Sequence, residues 1–364
     1  MRGPGSSLAG TFALIVFFLL NITASRAATC PAPALVLSLP LKHLPGDNRV
    51  LVPTMVNGVH EDFLLDTAGG GTSLTNTTAN ALRLHVLGAD GGRLVDSNGN
   101  VSTRYVQLES LALGGMVSRN PQIMLTPEPK DGMPLSYAGV LAIDLMKTFD
   151  IEMDFAENQL KYLSSDHCEG QVVYWPAAAV GTLPFSIQDF AEQSRVAAQH
   201  QVVANPKLQD VLDRRDGSGL SGSYIRTKVA VDGKDLSATI DTGSMHSTMK
   251  ASVAKSLFGV TPSSSGTEPV SPDVFRYSFH TLSFGGVVVT APAFIVRPDL
   301  TGKNDAYDDY LTGSRLARAD DKLGSDVTIG MDVLSRLHVY IAFKEKTLYF
   351  TAAGSSPGHS PDKN

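Results

Sequence analysis

The chain is poor in the residues that build metal centres and nucleic-acid surfaces. It has two cysteines in 364 residues, and its nine histidines show neither an HExxH pattern nor any other paired spacing, so the usual ligand sets of zinc enzymes are missing. Its formal net charge is −6, and lysine and arginine nowhere form a cluster, whereas nucleic-acid-binding domains carry a basic patch. We therefore predict no metal site and no nucleic-acid partner.

The nucleophiles of other hydrolase classes are missing too. No Gly-x-Ser-x-Gly elbow occurs, and Cys30 and Cys168 flank the first half of the chain rather than sit in a turn. Only 18% of the residues are charged, while there are 33 glycines and 20 prolines, a composition typical of a turn-rich β-protein and not of a helical bundle. The length suits two units of about 130 residues each.

What the chain does contain is one short pattern that occurs twice. Residues 63–69 read FLLDTAG and residues 238–244 read ATIDTGS. Each apolar run delivers an aspartate, Asp66 or Asp241, into a turn of small residues, as a strand must do to present a carboxylate on a tight loop. Two such sites predict a paired-carboxylate enzyme built from a duplicated lobe.

The surroundings of the two aspartates repeat in register. Gly58 and Gly233 each lie eight residues before the aspartate of their half, in Asn-Gly or Asp-Gly pairs typical of tight hairpins. Each half also closes on an apolar segment that ends in an aspartate, Asp144 or Asp332. At the start of a short helix, such an aspartate is expected to cap the helix or satisfy a turn rather than to act in catalysis.

This pattern resembles the aspartic peptidases of the pepsin and retropepsin type, in particular bacterial secreted proteins with two retropepsin-like lobes in one chain. The resemblance covers residues 35–165 and 222–352. It implies an all-β, bilobal pepsin-like fold: two β-barrel lobes related by a pseudo-twofold axis, with short helices. Residues 166–221 would form a linker or insertion between the lobes, in which residues 171–176 read as a strand and residues 186–201 as a helix.

By this resemblance, Asp66 and Asp241 would be catalytic, holding between them a water that attacks a peptide carbonyl, with one carboxylate ionised and the other protonated. Such a mechanism requires no cofactor, metal or covalent intermediate. The two threonines that follow would lock the loops together, and the backbone N–H groups at positions 68 and 243 would bond the carboxylates. The residues implied to support the pair are Thr67, Ala68, Gly69, Thr242, Gly243 and Ser244.

Lobe one departs from this family pattern at two positions. Ala68 and Ala142 stand where the family has glycine, the second of them matching Gly330 in lobe two. Alanine keeps the N–H group but adds a methyl and disfavours positive φ. Two functions of different kinds therefore stay open: an exported aspartic endopeptidase that acts on extended polypeptide, and a catalytically inactive relative whose cleft binds a peptide without cutting it.

The resemblance also implies a hairpin that covers the cleft. The turn sequence DSNGN at residues 96–100, with Asn98 and Gly99 at its centre, leads into a strand-like segment and is our candidate for this flap. An ordinary surface hairpin is the alternative. The matching segment of lobe two, residues 263–273, lacks such a clear tip, so the two lobes would cover the cleft unequally.

The two ends of the chain predict export and a polar tail. Residues 1–27 read as a signal peptide with a short apolar core and a small-x-small ending; an uncleaved membrane anchor is the alternative. We expect an exported protein, periplasmic or extracellular, that is monomeric and has no stable membrane association once the signal is cleaved. Residues 353–364 are polar and predicted to be disordered.

Export favours a disulfide bond between the two cysteines. A bridge from Cys30 to Cys168 would staple the mature N-terminus to the end of lobe one. Two unpaired, buried thiols are the alternative. Either way we expect a structural role, because a metal site would need more than two ligands.

Overall fold

The computed structural model of the chain describes residues 31–88, 94–95, 101–127, 135–177, 179–189, 223–299 and 325–354. These residues are mostly β with short helices, which confirms the predicted fold class. In Lys234–Ile240, as in other strands, buried side chains alternate with more exposed ones. This period of two is typical of a strand that packs one face on a core.

The elements of the two halves follow one another in a matching order. The first half contains a 3-10 helix at Ile143–Leu145 and the elements β1 (Leu35–Pro40), β2 (Lys42–His43), β3 (Val50–Val56), β4 (Val59–Asp66), β5 (Ser73–Leu74), α1 (Asn76–Ala81), β6 (Val86–Gly88), β7 (Leu94–Val95), β8 (Val101–Ser102), β9 (Arg104–Gln107), β10 (Ser110–Leu113), β11 (Met116–Arg119), β12 (Gln122–Leu125), β13 (Gly139–Ala142), β14 (Asp150–Asp154) and β15 (Gln159–Leu163). The second half contains β16 (Gly181–Pro184), β17 (Ser186–Asp189), β18 (Ser223–Val231), β19 (Lys234–Ile240), β20 (Thr248–Lys250), α2 (Ala251–Phe258), β21 (Glu268–Ser271), β22 (Val274–Ser278), β23 (Thr281–Phe284), β24 (Val287–Thr290), β25 (Ala293–Arg297), β26 (Val327–Ile329), α3 (Met331–Leu334), β27 (Leu337–Ala342) and β28 (Thr347–Ala352).

Two large sheets with the same strand order form the two lobes. In lobe one the order is β11-β10-β3-β4-β13-β5-β12-β9-β6, with β2 beside β3. In lobe two it is β24-β23-β18-β19-β26-β20-β25-β22-β21, with β17 beside β18. Each strand of one sheet therefore has a counterpart in the other, and the predicted two-lobe duplication is confirmed.

A third, six-stranded sheet joins the lobes in the order β1-β15-β14-β27-β28-β16. Its central pair is antiparallel, with Met153 of β14 opposite Val339 of β27. All six residues of β27 are buried, as expected of a strand covered on both faces. In this sheet β16 lies beside β28 as β1 lies beside β15, so β16 and β17 repeat the positions of β1 and β2.

The segment between the lobes differs from its prediction. The helix predicted over residues 186–201 is wrong at its start, because Ser186–Asp189 forms a strand that pairs with β18; the rest of that range lies outside the described residues. Pairing to a neighbouring strand outweighs weak helical periodicity. The strand predicted over residues 171–176 is also wrong: this segment pairs with no described strand, and Trp175 instead stacks on His338 at 4.0 Å between ring centroids.

Two tight hairpins set the register of the strands that lead to the aspartates. Asn57 and Gly58 join β3 to β4 with φ of 49° and 81°, and Asp232 and Gly233 join β18 to β19 with φ of 45° and 75°. Positive φ at both central residues is the conformation that Asn-Gly and Asp-Gly pairs favour. Both predicted hairpins are confirmed, and with them the alignment of the two strands.

Candidate active site

The two aspartates stand at equivalent strand ends. β4 ends at Asp66 and runs parallel to β13, with Asp66 opposite Ala142. β19 ends one residue before Asp241, whose N–H donates to the carbonyl of Ile329 in β26 at 3.0 Å. The apolar residues that precede each aspartate are buried, so core packing fixes where each strand ends and its turn begins.

The two turns are locked together by their threonines. The N–H of Thr67 donates to the hydroxyl of Thr242 at 3.1 Å, and the N–H of Thr242 donates to the hydroxyl of Thr67 at 3.2 Å. Each hydroxyl in turn donates across the lobes, from Thr67 to the carbonyl of Ile240 at 2.7 Å and from Thr242 to that of Leu65 at 2.9 Å. Both threonines are fully buried, so these four bonds are shielded from competition with water.

This lock brings the two carboxylates side by side. Asp66 lies within hydrogen-bonding range of Asp241. A Cβ atom on Gly243 would lie within 2.8 Å of all three carboxylate atoms of Asp66, so the turn of lobe two packs directly against the carboxylate of lobe one. The pKa of Asp66 is raised well above its usual value by burial and by the negative charge of Asp241, against the opposing effect of backbone N–H donors at positions 68 and 69.

Each carboxylate is oriented by the turn that carries it. Asp66 accepts from the N–H of Ala68 at 2.9 Å, and Asp241 accepts from the N–H of Gly243 at 2.8 Å. Asp241 also accepts from Ser244, through its N–H at 3.1 Å and its hydroxyl at 2.6 Å. The structure therefore brings together all eight residues predicted for the pair and its support.

The comparisons with known proteins agree with this geometry. More than half of the chain matches the family model described as aspartyl protease, in two stretches that each span one aspartate turn, residues 52–144 and 227–333. The chain belongs to the aspartyl protease family. A comparison with curated protein sequences gives no match.

Solved structures with two-lobe folds are also similar to this family member, at low sequence identity. The aspartic proteinase from Irpex lacteus has a TM-score of 0.44 and 12% identity, over 88% of this chain and 98% of that chain. Basic 7S globulin from soybean has a TM-score of 0.46 and 11% identity, over 88% of this chain and 95% of that chain.

The two alanines that depart from the aspartyl protease pattern are accommodated without backbone strain. Ala68 is absent from the described residues with positive φ, and Ala142 is extended, with φ −103° and ψ 175°. The methyl of Ala142 faces Gly69, where an added Cβ would lie only 3.2 Å from it. In lobe two the backbone runs closer, since a Cβ on Gly330 would lie 2.6 Å from the carbonyl carbon of His246. Glycine is therefore required at position 330 of lobe two, whereas alanine fits at the matching position 142 of lobe one.

Asp144 and Asp332 satisfy turns rather than cap helices. Asp144 accepts from the N–H of Thr72 at 3.1 Å and from its hydroxyl at 2.7 Å. Asp332 accepts from the N–H of Ser247 at 2.9 Å and from its hydroxyl at 2.6 Å. Sequence reasoning missed these two hydroxyl residues, although each lies six positions after the aspartate of its turn, an offset that the repeat could have revealed.

Two arginines beside the pair were also missed, because no local motif marks them. The guanidinium of Arg49 donates to the carbonyl of Gly243 at 3.3 Å, and an ion pair with Asp47 at 2.6 Å holds it there. Arg297, at the end of β25, interacts electrostatically with Asp241. Burial lowers the pKa of Arg297, and the charge of Asp241 opposes that lowering.

The candidate flap is described only in part. β7 and β8, which flank the candidate flap in the sequence, pair antiparallel, with Leu94 opposite Ser102. Its predicted tip, Asn98 and Gly99, lies outside the described residues. In lobe two, the segment predicted to lack a clear tip, residues 263–273, contains β21 and the turn that joins it to β22 in an antiparallel pair.

Several other predictions lie wholly or partly outside the described residues. These include the signal peptide at residues 1–27, Cys30 and most of the tail at 353–364. The disulfide bond therefore stays a prediction. The backbone N–H of Ser164, near Cys168 in the sequence, donates to the carbonyl of Ala34 at 2.8 Å, so the segments that carry the two cysteines approach each other. Within the described ranges, no helix is both long and apolar enough to span a membrane, and no three His, Cys, Asp or Glu side chains are grouped so that they could hold a metal ion.

Proposed function

We propose that this protein is an exported aspartic endopeptidase that hydrolyses peptide bonds with a water activated between Asp66 and Asp241. The observation that carries the proposal is that two carboxylates contributed by different lobes lie within hydrogen-bonding range of each other, in turns locked together by their threonines. Two carboxylic acids this close repel each other strongly when both are ionised, so they share a proton. One site therefore offers a general acid and a general base side by side.

The chemistry follows from that shared proton. The ionised carboxylate accepts a proton from the water as the water oxygen bonds to the peptide carbonyl carbon. The protonated carboxylate donates to the carbonyl oxygen, which gives a neutral tetrahedral intermediate. The carboxyl group that took the proton of the water then gives it to the amide nitrogen. The carbon–nitrogen bond breaks, and a hydroxyl of the intermediate returns its proton to the other carboxylate, which restores the starting state of the pair. Every proton is held by a residue of the chain, so this route uses no cofactor.

The supporting residues have defined tasks in this scheme. The buried threonine lock between Thr67 and Thr242 fixes the distance between the carboxylates, and the small residues behind it keep the two turns close. A polypeptide in extended form would lie across the cleft between the lobes. The hairpin with Asn98 and Gly99 at its tip would cover this substrate and limit access of water.

The proposed location rests on the sequence. The signal-like residues 1–27 support export to the periplasm or outside the cell, as a monomer without stable membrane association after cleavage. A bridge between Cys30 and Cys168 fits an oxidising compartment. Reduced and non-reduced mass measurements of the secreted protein test both points, since they give the new N-terminus and the state of the two cysteines.

The activity is tested by incubating the mature protein with an unstructured polypeptide from acidic to neutral pH. We expect cleavage that a transition-state-mimicking inhibitor of aspartic peptidases abolishes, and that Asp66→Asn and Asp241→Asn each abolish. Asp235→Asn, at an exposed position outside the site, is the matched control and should cut normally. Absence of inhibitor-sensitive cleavage by the unaltered protein at every pH would overturn the proposal.

The inactive alternative has no specific observation in its favour. It depended on Ala68 and Ala142, and neither residue strains the backbone of lobe one. The same assay decides between the two functions, because a binding protein would protect or retain the polypeptide without cutting it.

A further inference from the structure

A cluster of ionisable side chains lies buried on the six-stranded sheet that joins the lobes, outside the candidate active site. Asp150 and Glu152 of β14 are fully buried, and so, nearly, are the imidazoles of His167 and His338. His338 belongs to β27, whereas His167 belongs to residues 165–176, which lead from the last strand of lobe one toward β16 and are called the strap below. Buried charges need partners, because a low dielectric penalises an isolated one.

His338 has a carboxylate at each of its ring nitrogens. Its Nε2 lies 3.0 Å from Glu152, and its Nδ1 lies 3.5 Å from Asp154. Glu152 also accepts from the ammonium of Lys161 at 2.7 Å and from the hydroxyl of Tyr174 at 2.5 Å. A neutral imidazole has one N–H and can direct it at only one of two carboxylates, whereas an imidazolium directs an N–H at each. The geometry therefore matches the imidazolium form.

His167 is placed in the same way and contacts both lobes. Its Nε2 contacts a carboxylate oxygen of Asp150 from lobe one. Its Nδ1 lies 3.4 Å from Glu345 of lobe two and 3.2 Å from the carbonyl oxygen of Cys168. The hydroxyl of Tyr340 donates to the same carboxylate of Asp150 at 3.2 Å. Both ring nitrogens thus face oxygen acceptors, and one imidazole connects the strap to each lobe.

The strap is held on the common sheet by side chains rather than by strand pairing, since it pairs with no described strand. Trp175 stacks on His338 at 4.0 Å between ring centroids, and its Nε1 donates to the hydroxyl of Thr351 at 3.0 Å. Val172 is fully buried in a small apolar cluster with Tyr340. A change in the charge of the two histidines therefore acts directly on the contacts that hold the strap.

We propose that the strap is a pH-sensitive latch between the lobes, closed while His167 and His338 are protonated on both ring nitrogens and released when they lose a proton. With both imidazoles charged, they and Lys161 offset most of the charge of the four carboxylates around them. With both neutral, one lysine faces four carboxylates, which then repel one another. These carboxylates belong to Asp150, Glu152, Asp154 and Glu345.

The direction of the switch follows from the protons that each state binds. The closed latch holds one additional proton on each imidazole, and the state that binds more protons is favoured as pH falls. The latch should therefore close in acid and open as pH rises through the range in which histidine changes its charge, between about pH 5 and 8. Each proton changes the ratio of closed to open latch by up to about tenfold per pH unit.

The neighbouring groups favour protons on the imidazoles. Burial raises the pKa of Glu152, but the bonds from His338 and two other donors outweigh it, so that this pKa lies below its usual value. Burial also raises the pKa of Asp150, against the bond from His167, so the two groups hold a proton between them. Burial raises the pKa of the tyrosines that donate to these carboxylates, which are Tyr174, Tyr340 and Tyr349. The charged groups next to the cluster in sequence are exposed, namely Asp166, Glu169 and Lys344.

Trp175 reports the state of the latch, because it is the single tryptophan of the chain and stacks on His338. We titrate the mature protein between acidic and neutral pH and follow its tryptophan emission, the access of acrylamide to the indole, and its far-UV circular dichroism. As pH rises, the emission should move to longer wavelength and acrylamide quenching should increase, with constant circular dichroism. Emission and quenching that do not change with pH, or that change only when the circular dichroism is lost, would overturn the proposal.

Asp154→Asn tests the proton of His338 without removing a structural contact. Oδ1 of Asp154 accepts from the N–H groups of Ala156 and Glu157 at 3.1 and 3.0 Å, whereas Oδ2 faces Nδ1 of the imidazole. Asparagine can keep the first oxygen and direct its amide N–H at the Nδ1 of a neutral imidazole, which then donates from Nε2 to Glu152.

In Asp154→Asn, Trp175 should therefore stay covered across the whole pH range, with the wavelength shift lost. Asp235→Asn, at an exposed position, removes the same charge elsewhere and should respond as the unaltered protein does. A wavelength shift in Asp154→Asn as large as that of the unaltered protein would contradict the latch.

His167→Gln tests the second proton, because glutamine can still donate to Asp150 but cannot change its charge. The transition should then involve one proton instead of two, so its steepness with pH should halve. His60→Gln, at an exposed position, is the matched control and should leave the steepness unchanged. Equal steepness in His167→Gln and the unaltered protein would contradict the latch. None of these measurements depends on cleavage of polypeptide, so the latch and the peptidase proposal can fail separately.

Discussion

The two aspartate turns share one hydrogen-bond framework but fill it with different side chains. In both, a threonine locks to the opposite turn, and a hydroxyl residue six positions after the aspartate binds the closing aspartate. They differ in the positions beside the carboxylates, where lobe one has Gly69 and Ala142 and lobe two has Ser244 and Gly330. The repeat thus preserves backbone geometry, while the space and the donors around each carboxylate have diverged.

The largest contrast between the turns is expected at the residue two positions after each aspartate. Gly243→Ala places a methyl within 2.8 Å of the carboxylate atoms of Asp66. The turns must then separate, and we expect kcat/KM for polypeptide cleavage to fall about 100-fold or more. The matched change in lobe one, Ala68→Gly, should alter it at most about fivefold, since Ala68 is unstrained. Equal losses in the two variants would show that the turns are equivalent after all.

The threonine lock should instead behave alike in both lobes. Thr67→Val and Thr242→Val each leave one buried N–H and one buried carbonyl without their partner. We expect each to lower the free energy of unfolding by about 2–3 kcal/mol, measured by chemical denaturation. Serine at the same positions keeps the hydroxyl and serves as the control. A difference between the two valine variants of more than about 1 kcal/mol would break the symmetry of the lock.

A smaller contrast is expected where the closing segments meet the turns. Gly330→Ala forces a methyl to within 2.6 Å of the backbone of His246, and we expect a loss of about 2 kcal/mol in the free energy of unfolding. Ala142→Gly in lobe one should cost less than about 1 kcal/mol, mainly through backbone entropy. Thermal or chemical denaturation checks both values. If Gly330→Ala did not lower the free energy of unfolding, the inference that the lobe-two backbone leaves no room for a methyl at position 330 would be wrong.

The smallest effect concerns pH and stability. Burial and the charge of Asp241 raise the pKa of Asp66, so the folded protein binds that proton more tightly than the unfolded chain does. Its contribution to stability is present below the ordinary aspartate pKa and is lost as pH rises toward the raised value. Asparagine at position 66 does not titrate. The free energy of unfolding of Asp66→Asn should therefore fall less between acidic and neutral pH than that of the unaltered protein. Asp235→Asn, at an exposed position, should show the same change in free energy of unfolding with pH as the unaltered protein.

The parts of the site that the sequence predicted are those with a local pattern. Each aspartate turn follows an apolar strand and precedes small residues, and each strand is preceded by an Asn-Gly or Asp-Gly hairpin. These signals lie within about ten residues of one another, so propensity and periodicity are enough to find them. Their duplication then predicted the two lobes and the pairing of Asp66 with Asp241.

The parts that the sequence did not predict depend on contacts between distant segments. Arg49 reaches Gly243 across 194 residues of sequence, and Ser186–Asp189 becomes a strand because β18 offers it an edge. Neither the arginine nor the segment has a local feature that marks this role. The unstrained backbone at Ala68 and Ala142 was likewise hidden, since φ at one position depends on how the whole turn packs.

By itself, the amino-acid sequence determined that two aspartates would stand at equivalent strand ends, each in a turn able to orient a carboxylate, because hairpins, apolar strands and small-residue turns are encoded locally. The tertiary structure alone decided that these carboxylates lie within hydrogen-bonding range of each other, and that Arg297 from a distant strand interacts with Asp241. The threonines that close the site are 175 residues apart. Only packing of the two lobes on their common sheet can bring such distant groups into contact.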